Sequence, residues 1–240
     1  MQIRDSVALV SGANRGIGRA LVEALLEHGA RRVYAGARDL TKLDDVVALD
    51  RARVRPIRLD VTKPDDARSA ADAARDVNLL INNAGVATAA APADTSVDTV
   101  REHMETNFFG LVNVTNAFLP TLREHHGAIV NILTIVALAS KPTLAAYNAS
   151  KAAGWSLTQS LRADLARHGI TVHGVFPGAV DTDMIRSFAM PKTPAIAVAR
   201  AVLEGIEAGT EDIFPDPMAQ QLYAAWREDH KAVERQLAAS

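Results

Sequence analysis

The sequence predicts an α/β domain in which a doubly wound parallel sheet of about seven strands carries helices on both faces, in three layers. Three observations predict this fold class. Short apolar runs such as residues 7–10 are typical of strands buried on both faces, and such runs alternate along the chain with segments of helical period. A glycine-rich turn at residues 12–18 joins the first run to the first helical segment. No internal repeat or linker composition interrupts the pattern, so we expect residues 1–240 to form a single domain.

The elements follow one another in a regular order. The predicted strands are residues 7–10, 32–36, 54–59, 77–81, 127–134, 170–176 and a short 212–214. The predicted helices are residues 19–27, 64–75, 97–118, 147–167, 194–208 and 217–237. Asn107 and Gly110 interrupt the helix at 97–118 and indicate a kink or a buried polar contact.

The composition limits the possible partners. The 26 basic and 28 acidic residues give a net charge of -2, which provides no field to hold nucleic acid or an anionic membrane. The chain has no cysteine, and its seven histidines show no zinc spacing. It has no apolar run of the roughly 18 residues that a membrane span needs, and no secretory signal. We therefore expect a cytoplasmic protein with no metal, nucleic-acid or membrane partner.

The glycine turn predicts an anion site. Gly12, Gly16 and Gly18 stand between a buried strand and a helix, where free backbone N–H groups and the positive end of the helix face one point. A Cβ there would block the tight turn or the approach of a ligand. A purely structural loop is the alternative, but the flanking strand and helix favour a phosphate.

Tyr147 and Lys151 indicate catalysis. Four residues apart on a predicted helix, they lie on one face and one turn from each other. An ordinary phenol has a pKa of about 10, so proton transfer near neutral pH needs a neighbouring cation to lower it. The motif is short, and a surface helix pair is the alternative.

Together, these motifs resemble the short-chain dehydrogenase/reductase family up to about residue 184. The resemblance implies a Rossmann-like fold that binds a nicotinamide dinucleotide, with a cofactor part at about 1–120 and a catalytic and substrate part at about 121–240. The cofactor-binding residues that it implies are Gly12, Asn14, Arg15, Gly16, Ile17, Gly18, Arg38, Asp60, Val61, Asn83, Ala84, Gly85, Tyr147, Lys151, Pro177, Gly178, Val180 and Thr182. For Asn83 a structural role is favoured, because buried amides mostly satisfy backbone groups.

The end of the second strand favours NADP(H) over NAD(H). An acidic residue there would bind the ribose hydroxyls, but Ala37 occupies that position and Arg38 follows it. Arg38 pairs well with a 2'-phosphate, and Arg15 resembles a second basic position of the NADP-dependent members. The alternative is that one of the arginines pairs with Asp39 or Asp60.

The resemblance also assigns catalytic roles to four residues. Tyr147 exchanges the proton, Lys151 lowers its pKa and binds the nicotinamide ribose, and the carbonyl of Asn107 holds a water that connects to the lysine. Thr134 stands where the family normally carries a serine. Its hydroxyl can still bind a substrate oxygen, although the added methyl narrows the pocket.

We therefore expect an NADP(H)-dependent carbonyl reductase or alcohol dehydrogenase that acts on a small ketone, aldehyde or secondary alcohol. A reductase of 3-oxoacyl groups on a carrier protein and a non-catalytic NADP(H)-binding sensor are the alternatives. The family suggests a homotetramer or homodimer built from helices around residues 97–120 and 147–167. Residues 186–193 correspond to a variable loop over the substrate, so the sequence leaves the substrate open.

Overall fold

The computed structural model describes residues 1–239, and its central feature is a seven-stranded sheet in which all neighbouring strands are parallel. The strands of the chain are β1 (Val7–Ser11), β2 (Arg32–Ala37), β3 (Val54–Arg58), β4 (Leu79–Asn82), β5 (Ala128–Ile132), β6 (Thr171–Val175), β7 (Val180–Asp181), β8 (Thr193–Pro194) and β9 (Asp212–Ile213). The large sheet has the order β3-β2-β1-β4-β5-β6-β9, while β7 and β8 form a separate parallel pair. The predicted fold class is confirmed.

The strand order creates a switch point in the middle of the sheet. From β1 the chain moves outward through β2 and β3, and it then returns past β1 to build the other side from β4. The connections after β1 and after β4 therefore leave the sheet in opposite directions. In open parallel sheets the ligand crevice forms outside the carboxyl ends at this point.

Helices cover both faces of the sheet. They are α1 (Gly16–Glu27), α2 (Asp44–Val47), α3 (Pro64–Ala73), α4 (Val97–His103), α5 (Gly110–Glu124), α6 (Ala145–Leu165), α7 (Ala195–Glu207), α8 (Pro217–Glu228) and α9 (His230–Ala238). Helices α1 and α7 pack together on one face, and α3 and α5 pack together on the other, which the end of α6 also covers.

The residues of β1 alternate between the two cores. Ala8 and Val10 pack in the same cluster as Leu21 of α1, whereas Val7 and Leu9 pack in the cluster that α5 completes. All five residues of the strand are buried. A strand covered on both faces has no reason to alternate with polar residues, which explains its continuous apolar run.

The helix expected at residues 97–118 is divided into three parts. Between α4 and α5 the backbone forms a π-helix, Met104–Phe109, and α5 then continues to Glu124. The expected interruption is therefore a widened turn around Asn107. At its end Gly110 approaches the neighbouring segment so closely that a Cβ would lie 2.6 Å from Val61 Cγ2. Close packing requires the glycine despite its low helix propensity.

Three other boundaries differ from expectation. Helix α1 begins at Gly16, inside the glycine turn, rather than at residue 19. The segment 217–237 is two helices, because Asp229 adopts an extended conformation and its side chain accepts a hydrogen bond from Ala232 N, capping α9. The pairing of β7 with β8 was not expected, since strands of two residues have no readable period.

Helix α8 packs on its own chain through aromatic rings. Trp226 lies 6.4 Å from Trp155 of α6, and Tyr223 stacks on Phe214 with ring centroids 3.8 Å apart. Phe176 completes the cluster beneath Phe214 and Trp155. Among the helices of residues 1–239, none combines the length and the apolar character that a membrane crossing needs.

Candidate active site

A cleft of about 490 Å³ opens at the carboxyl ends of the central strands. The residues predicted to bind the cofactor all line it, although they come from segments spread between residues 12 and 182. Of the four residues predicted to be catalytic, Thr134, Tyr147 and Lys151 line the same cleft, and Asn107 lies behind it. The topology thus brings the predicted site residues together at the switch point.

The glycine turn forms one end of the cleft. Gly12 and Gly16 have φ of +66° and +54°, a region that favours glycine. A Cβ on Gly12 would lie 2.9 Å from Ala84 Cα, and one on Gly18 would collide with the carbonyl of Gly12. No side chain caps the start of α1, and its first turn carries no acidic residue. The backbone N–H groups are therefore free to receive an anion, so the cradle fits a pyrophosphate.

Asn83 fixes the turn from the side of β4. Its Nδ2 donates to the carbonyls of Ser11 (2.9 Å) and Gly12 (3.2 Å). In return, Ser11 Oγ accepts from the N–H groups of Asn83 (3.0 Å) and Ala84 (3.1 Å). The amide side chain satisfies backbone groups, which agrees with the structural role favoured from the sequence.

The far end of the cleft, beyond β2, is basic. Arg38 and Lys42 are exposed and line it, and Ala37 brings no carboxylate to the strand end. The carboxylate of Asp39 is engaged locally, since its Oδ1 accepts from Thr41 N (3.0 Å) and from Thr41 Oγ1 (2.6 Å). Lys42 was missed in the sequence, where only its spacing of four residues from Arg38 could have indicated it.

Arg15 forms an ion pair, but its partner is neither Asp39 nor Asp60. Its Nη1 lies 3.8 Å from Asp183 Oδ2, with both side chains largely exposed. An exposed pair of this length contributes little, about 0–1 kcal/mol. The guanidinium is therefore available to a stronger anionic partner.

Tyr147, Lys151 and Thr134 meet where α6 passes the end of β5. Lys151 is buried, with Nζ 5.9 Å from the centroid of the Tyr147 ring. The ammonium donates to the carbonyl of Ile132 at 2.6 Å. Thr134 is also buried; its hydroxyl is hydrogen-bonded to Tyr147 and donates weakly to the carbonyl of Pro177 at 3.4 Å.

The protonation equilibria of this group are dominated by burial. Burial raises the pKa of Tyr147 to about 12, and the hydrogen bond with Thr134 opposes this only in part. Burial lowers the pKa of Lys151 to about 8. Burial and Thr134 account for the shift of the Tyr147 pKa, and the ammonium of Lys151 donates to Ile132, so the lowering of the tyrosine pKa by the lysine stays a prediction.

Asn107 is held by the loop that follows β4. Its Oδ1 accepts from Val86 N at 2.8 Å, and its Nδ2 donates to Val86 O and to Ser150 Oγ, both at 2.9 Å. The side-chain carbonyl therefore already accepts one hydrogen bond, and the water that the carbonyl of Asn107 is expected to hold stays a prediction.

Behind the cleft a cavity of about 10 Å³ touches both Asn107 and Lys151. It is also lined by Asn82, whose buried Oδ1 has no hydrogen-bond partner among residues 1–239. A polar cavity of this size has room for about one water.

The remaining wall of the cleft is apolar. Its apolar lining residues include Val86, Leu133, Met184 and Ile185. Met184 is 43% exposed. Met184, at the end of the resemblance, and Ile185, beyond it, were not among the predicted site residues.

A doubly wound parallel sheet with a glycine cradle at its switch point defines the class of Rossmann-like nucleotide-binding proteins. The sequence model described as "short chain dehydrogenase" matches residues 6–192. The chain belongs to this family of oxidoreductases, as the resemblance implied.

Similar proteins agree with this membership. A bovine (Bos taurus) protein, dehydrogenase/reductase SDR family member 7B, is 34% identical over 195 residues, which cover 76% of this chain and 60% of the bovine protein. A short chain dehydrogenase from Burkholderia cenocepacia J2315, solved in complex with NADP, is 40% identical with a TM-score of 0.93, covering 99% of both chains. A short chain dehydrogenase/reductase from Burkholderia phymatum, solved in complex with NAD, is 27% identical with a TM-score of 0.86, covering 98% of this chain and 96% of that one.

Proposed function

We propose that the protein is an NADP(H)-dependent oxidoreductase that transfers hydride between the nicotinamide and a ketone, an aldehyde or a secondary alcohol. The observation that carries the proposal is the junction of two sites in one cleft: the glycine cradle, and the group of Tyr147, Lys151 and Thr134. An anion cradle alone would suit any nucleotide-binding protein. A buried tyrosine, lysine and hydroxyl beside it form a set that can handle a proton.

The basic end of the cleft supports NADP(H) over NAD(H). Arg38 and Lys42 line that end, Arg15 lines the cleft from the glycine turn, and Ala37 leaves the ribose position without a carboxylate. A 2'-phosphate would find charge-assisted donors there, whereas a 2'-hydroxyl would find no carboxylate at position 37. The relative solved with NADP is more similar to this chain than the one solved with NAD, at 40% against 27% identity.

The other residues of the cleft bind the remaining parts of the dinucleotide. The first turn of α1 would hold the pyrophosphate, Asp60 and Val61 would bind the adenine, and Val180 and Thr182 would bind the carboxamide. Lys151 binds the nicotinamide ribose. Once bound, the cofactor supplies the hydride that reduces the carbonyl carbon.

Tyr147 acts as the general acid in the reductive direction. With a pKa of about 12, its hydroxyl is fully protonated at neutral pH and can donate to the developing alkoxide. Thr134 already hydrogen-bonds this hydroxyl, so a carbonyl oxygen at that point would meet both groups. In the oxidative direction Tyr147 must lose its proton first, and Lys151 can assist only after its ammonium turns from Ile132 toward the phenol.

The small cavity behind the cleft supports a water that returns the proton. Its lining includes Lys151, Asn107 and the unpartnered Oδ1 of Asn82. A water there would accept from the lysine and donate to the free amide oxygen and to a backbone carbonyl of the π-helix. Asn107 shapes this water site through its hydrogen bonds to Val86.

The substrate end favours a small neutral molecule. Apolar side chains line it, and the charged residues next to it are engaged in ion pairs, since Asp183 lies beside both Arg15 and Arg186. A carrier protein would need an unpaired basic patch at this mouth for docking. Small-molecule carbonyl compounds with apolar substituents are thus the preferred substrates.

We also propose that residues 1–240 form one domain and that the protein is a homodimer or homotetramer. Strands from both halves of the chain belong to one sheet, which supports the single domain. Val97 and Phe109 are 65% and 44% exposed on the α4 and π-helical segment, which supports an interface around residues 97–120. Light scattering after size-exclusion chromatography measures the oligomer.

A binding titration and a turnover assay together test the function. NADPH and NADH are titrated by cofactor fluorescence, and NADPH oxidation is followed by absorbance on a panel of ketones, aldehydes and a carrier-bound 3-oxoacyl group. Tighter NADPH binding with turnover of free ketones supports the proposal. Turnover of the carrier-bound group alone indicates the carrier-protein reductase, and binding without turnover of any compound indicates a sensor.

A further inference from the structure

Asp216 is a buried carboxylate outside every motif described above. It lies between β9 and the start of α8 and is 1% exposed. Within residues 1–239 it makes none of the ion pairs that buried carboxylates usually require. Its two oxygens instead accept hydrogen bonds from two backbone N–H groups.

One of these hydrogen bonds is an ordinary helix cap. Asp216 Oδ1 accepts from Ala219 N at 2.9 Å and so caps the N-terminus of α8. Serine caps a helix about as well and carries no charge into the protein interior. Capping alone therefore does not explain a carboxylate at this buried position.

The second hydrogen bond reaches the cofactor cleft. Asp216 Oδ2 accepts from Gly178 N at 2.8 Å, and Gly178 lines the cleft. The approach is close: a Cβ on Gly178 would lie 2.7 Å from Asp216 Oδ1 and 2.9 Å from Met218 Cβ. The first turn of α8 thus packs directly against the loop after β6.

The peptide group that Asp216 holds also holds Thr134. The N–H of Gly178 and the C=O of Pro177 belong to one planar trans peptide, so fixing one end fixes the direction of the other. That carbonyl accepts from Ile135 N at 3.0 Å and from Thr134 Oγ1 at 3.4 Å. Hydrogen bonds to Asp216 on one side and to the segment of Thr134 on the other therefore fix the orientation of this one peptide group.

We propose that Asp216 is a positioning residue, which orients the Pro177–Gly178 peptide and through it the hydroxyl of Thr134. The effect of Asp216 on catalysis rests on the proposed function, but its role in holding the peptide does not. It links the C-terminal segment, which lies beyond the family motifs, to the reacting end of the cleft. Because a small displacement of a catalytic group lowers the rate, loss of the hydrogen bond between Asp216 and Gly178 slows the chemical step.

Serine at position 216 separates the two roles of the aspartate. In Asp216→Ser the shorter side chain keeps the cap of α8 but cannot reach Gly178, whereas Asp216→Ala loses both hydrogen bonds. Asp229 offers a matched control, because it caps α9 through Ala232 N and has no contact with the cleft. Asp229→Ala therefore reports the loss of a cap, and both Asp229→Ala and Asp229→Ser also lose the exposed ion pair of Asp229 Oδ2 with Arg235 Nη2, 3.8 Å away.

We expect Asp216→Ser to lower kcat for ketone reduction at least tenfold, with a melting temperature close to wild type and a KM for NADPH changed less than threefold. Asp229→Ser should keep the wild-type kcat. In a double-mutant cycle with Thr134→Ala, adding Asp216→Ser should cause little further loss, because both changes remove the same oriented hydroxyl. Losses that multiply overturn the inference, as does a wild-type kcat in Asp216→Ser.

A measurement without turnover keeps this test separate from that of the function. Hydrogen exchange of the Gly178 amide, followed by NMR, should be at least tenfold faster in Asp216→Ser than in the wild type and unchanged in Asp229→Ser. Unchanged exchange at Gly178 overturns the inference. If exchange at Gly178 is faster in the variant but the wild type reduces no carbonyl compound, the structural role of Asp216 stands and the proposed function is rejected.

Discussion

Lys151 lies one helical turn from Tyr147, yet its ammonium is 5.9 Å from the ring centroid and donates its hydrogen bond to Ile132 at 2.6 Å. The two side chains share one helix face as the sequence predicted, but the cation is directed at the end of β5. Burial makes the tyrosine a weak acid, with a pKa of about 12, and the lysine a weak base, with a pKa of about 8. This relationship determines the pH behaviour expected of the site.

Replacing Tyr147 by Phe removes the hydroxyl that donates the proton. We expect turnover to fall by about 10³-fold, within the range that general acid catalysis contributes. The affinity for NADPH should change little, because the ring and its packing remain. Steady-state assays and a fluorescence titration on the same protein measure both quantities, and near wild-type turnover would reject the assignment of Tyr147.

Thr134 is tested by one substitution that keeps its hydroxyl and one that removes it. Thr134→Ser should retain activity, because the hydroxyl that meets Tyr147 remains. Thr134→Val keeps the shape and buries a methyl in place of the hydroxyl, so kcat should fall about 10²-fold. Equal rates for the two variants would remove the threonine from the mechanism.

The charge of Lys151 should limit the reaction at alkaline pH. Burial disfavours the ammonium and lowers its pKa to about 8, so the charged form is present below that pH and is lost as the pH rises through it. We expect kcat/KM for NADPH to fall with a midpoint near pH 8. In Lys151→Arg the guanidinium stays charged, so this midpoint should vanish even though the rate is lower. A midpoint shared by both proteins points to another group.

The basic end of the cleft should select the cofactor. Alanine at Arg38, Arg15 or Lys42 removes one donor for a 2'-phosphate, so each change should raise the KM for NADPH about tenfold and leave that for NADH unchanged. The effect should weaken at high salt, because all three side chains are exposed. Arg123→Ala serves as the control, since Arg123 is equally exposed but does not line the cleft. Equal losses for NADH would contradict a role in phosphate binding.

The large sheet could be predicted from the sequence because its strands carried their own signals. Strands such as β1 and β5 are buried on both faces, and short apolar runs of this length indicate such strands. The elements that were mispredicted depend on contacts between distant residues. The π-helix follows from the side-chain hydrogen bonds of Asn107 and the close approach of Gly110 to Val61, and neither contact is visible in a local period.

The site residues that belong to sequence motifs could be predicted, and those outside the motifs could not. The position of Tyr147 and Lys151 on one helix face follows from their spacing, but the direction of their pKa shifts depends on burial and on the carbonyl of Ile132. Lys42 and Asp216 belong to no motif. They reach the cleft or its wall only because the chain returns there, from a short turn after β2 and from the loop after β9.

The aromatic contact between α6 and α8 has a spectroscopic consequence. Trp155 and Trp226 are the two tryptophans of the chain, and they belong to the same cluster, 6.4 Å apart. Intrinsic tryptophan fluorescence therefore arises entirely from the contact between α6 and α8. A shift of that emission to longer wavelength would register the undocking of α8 directly, with no added label.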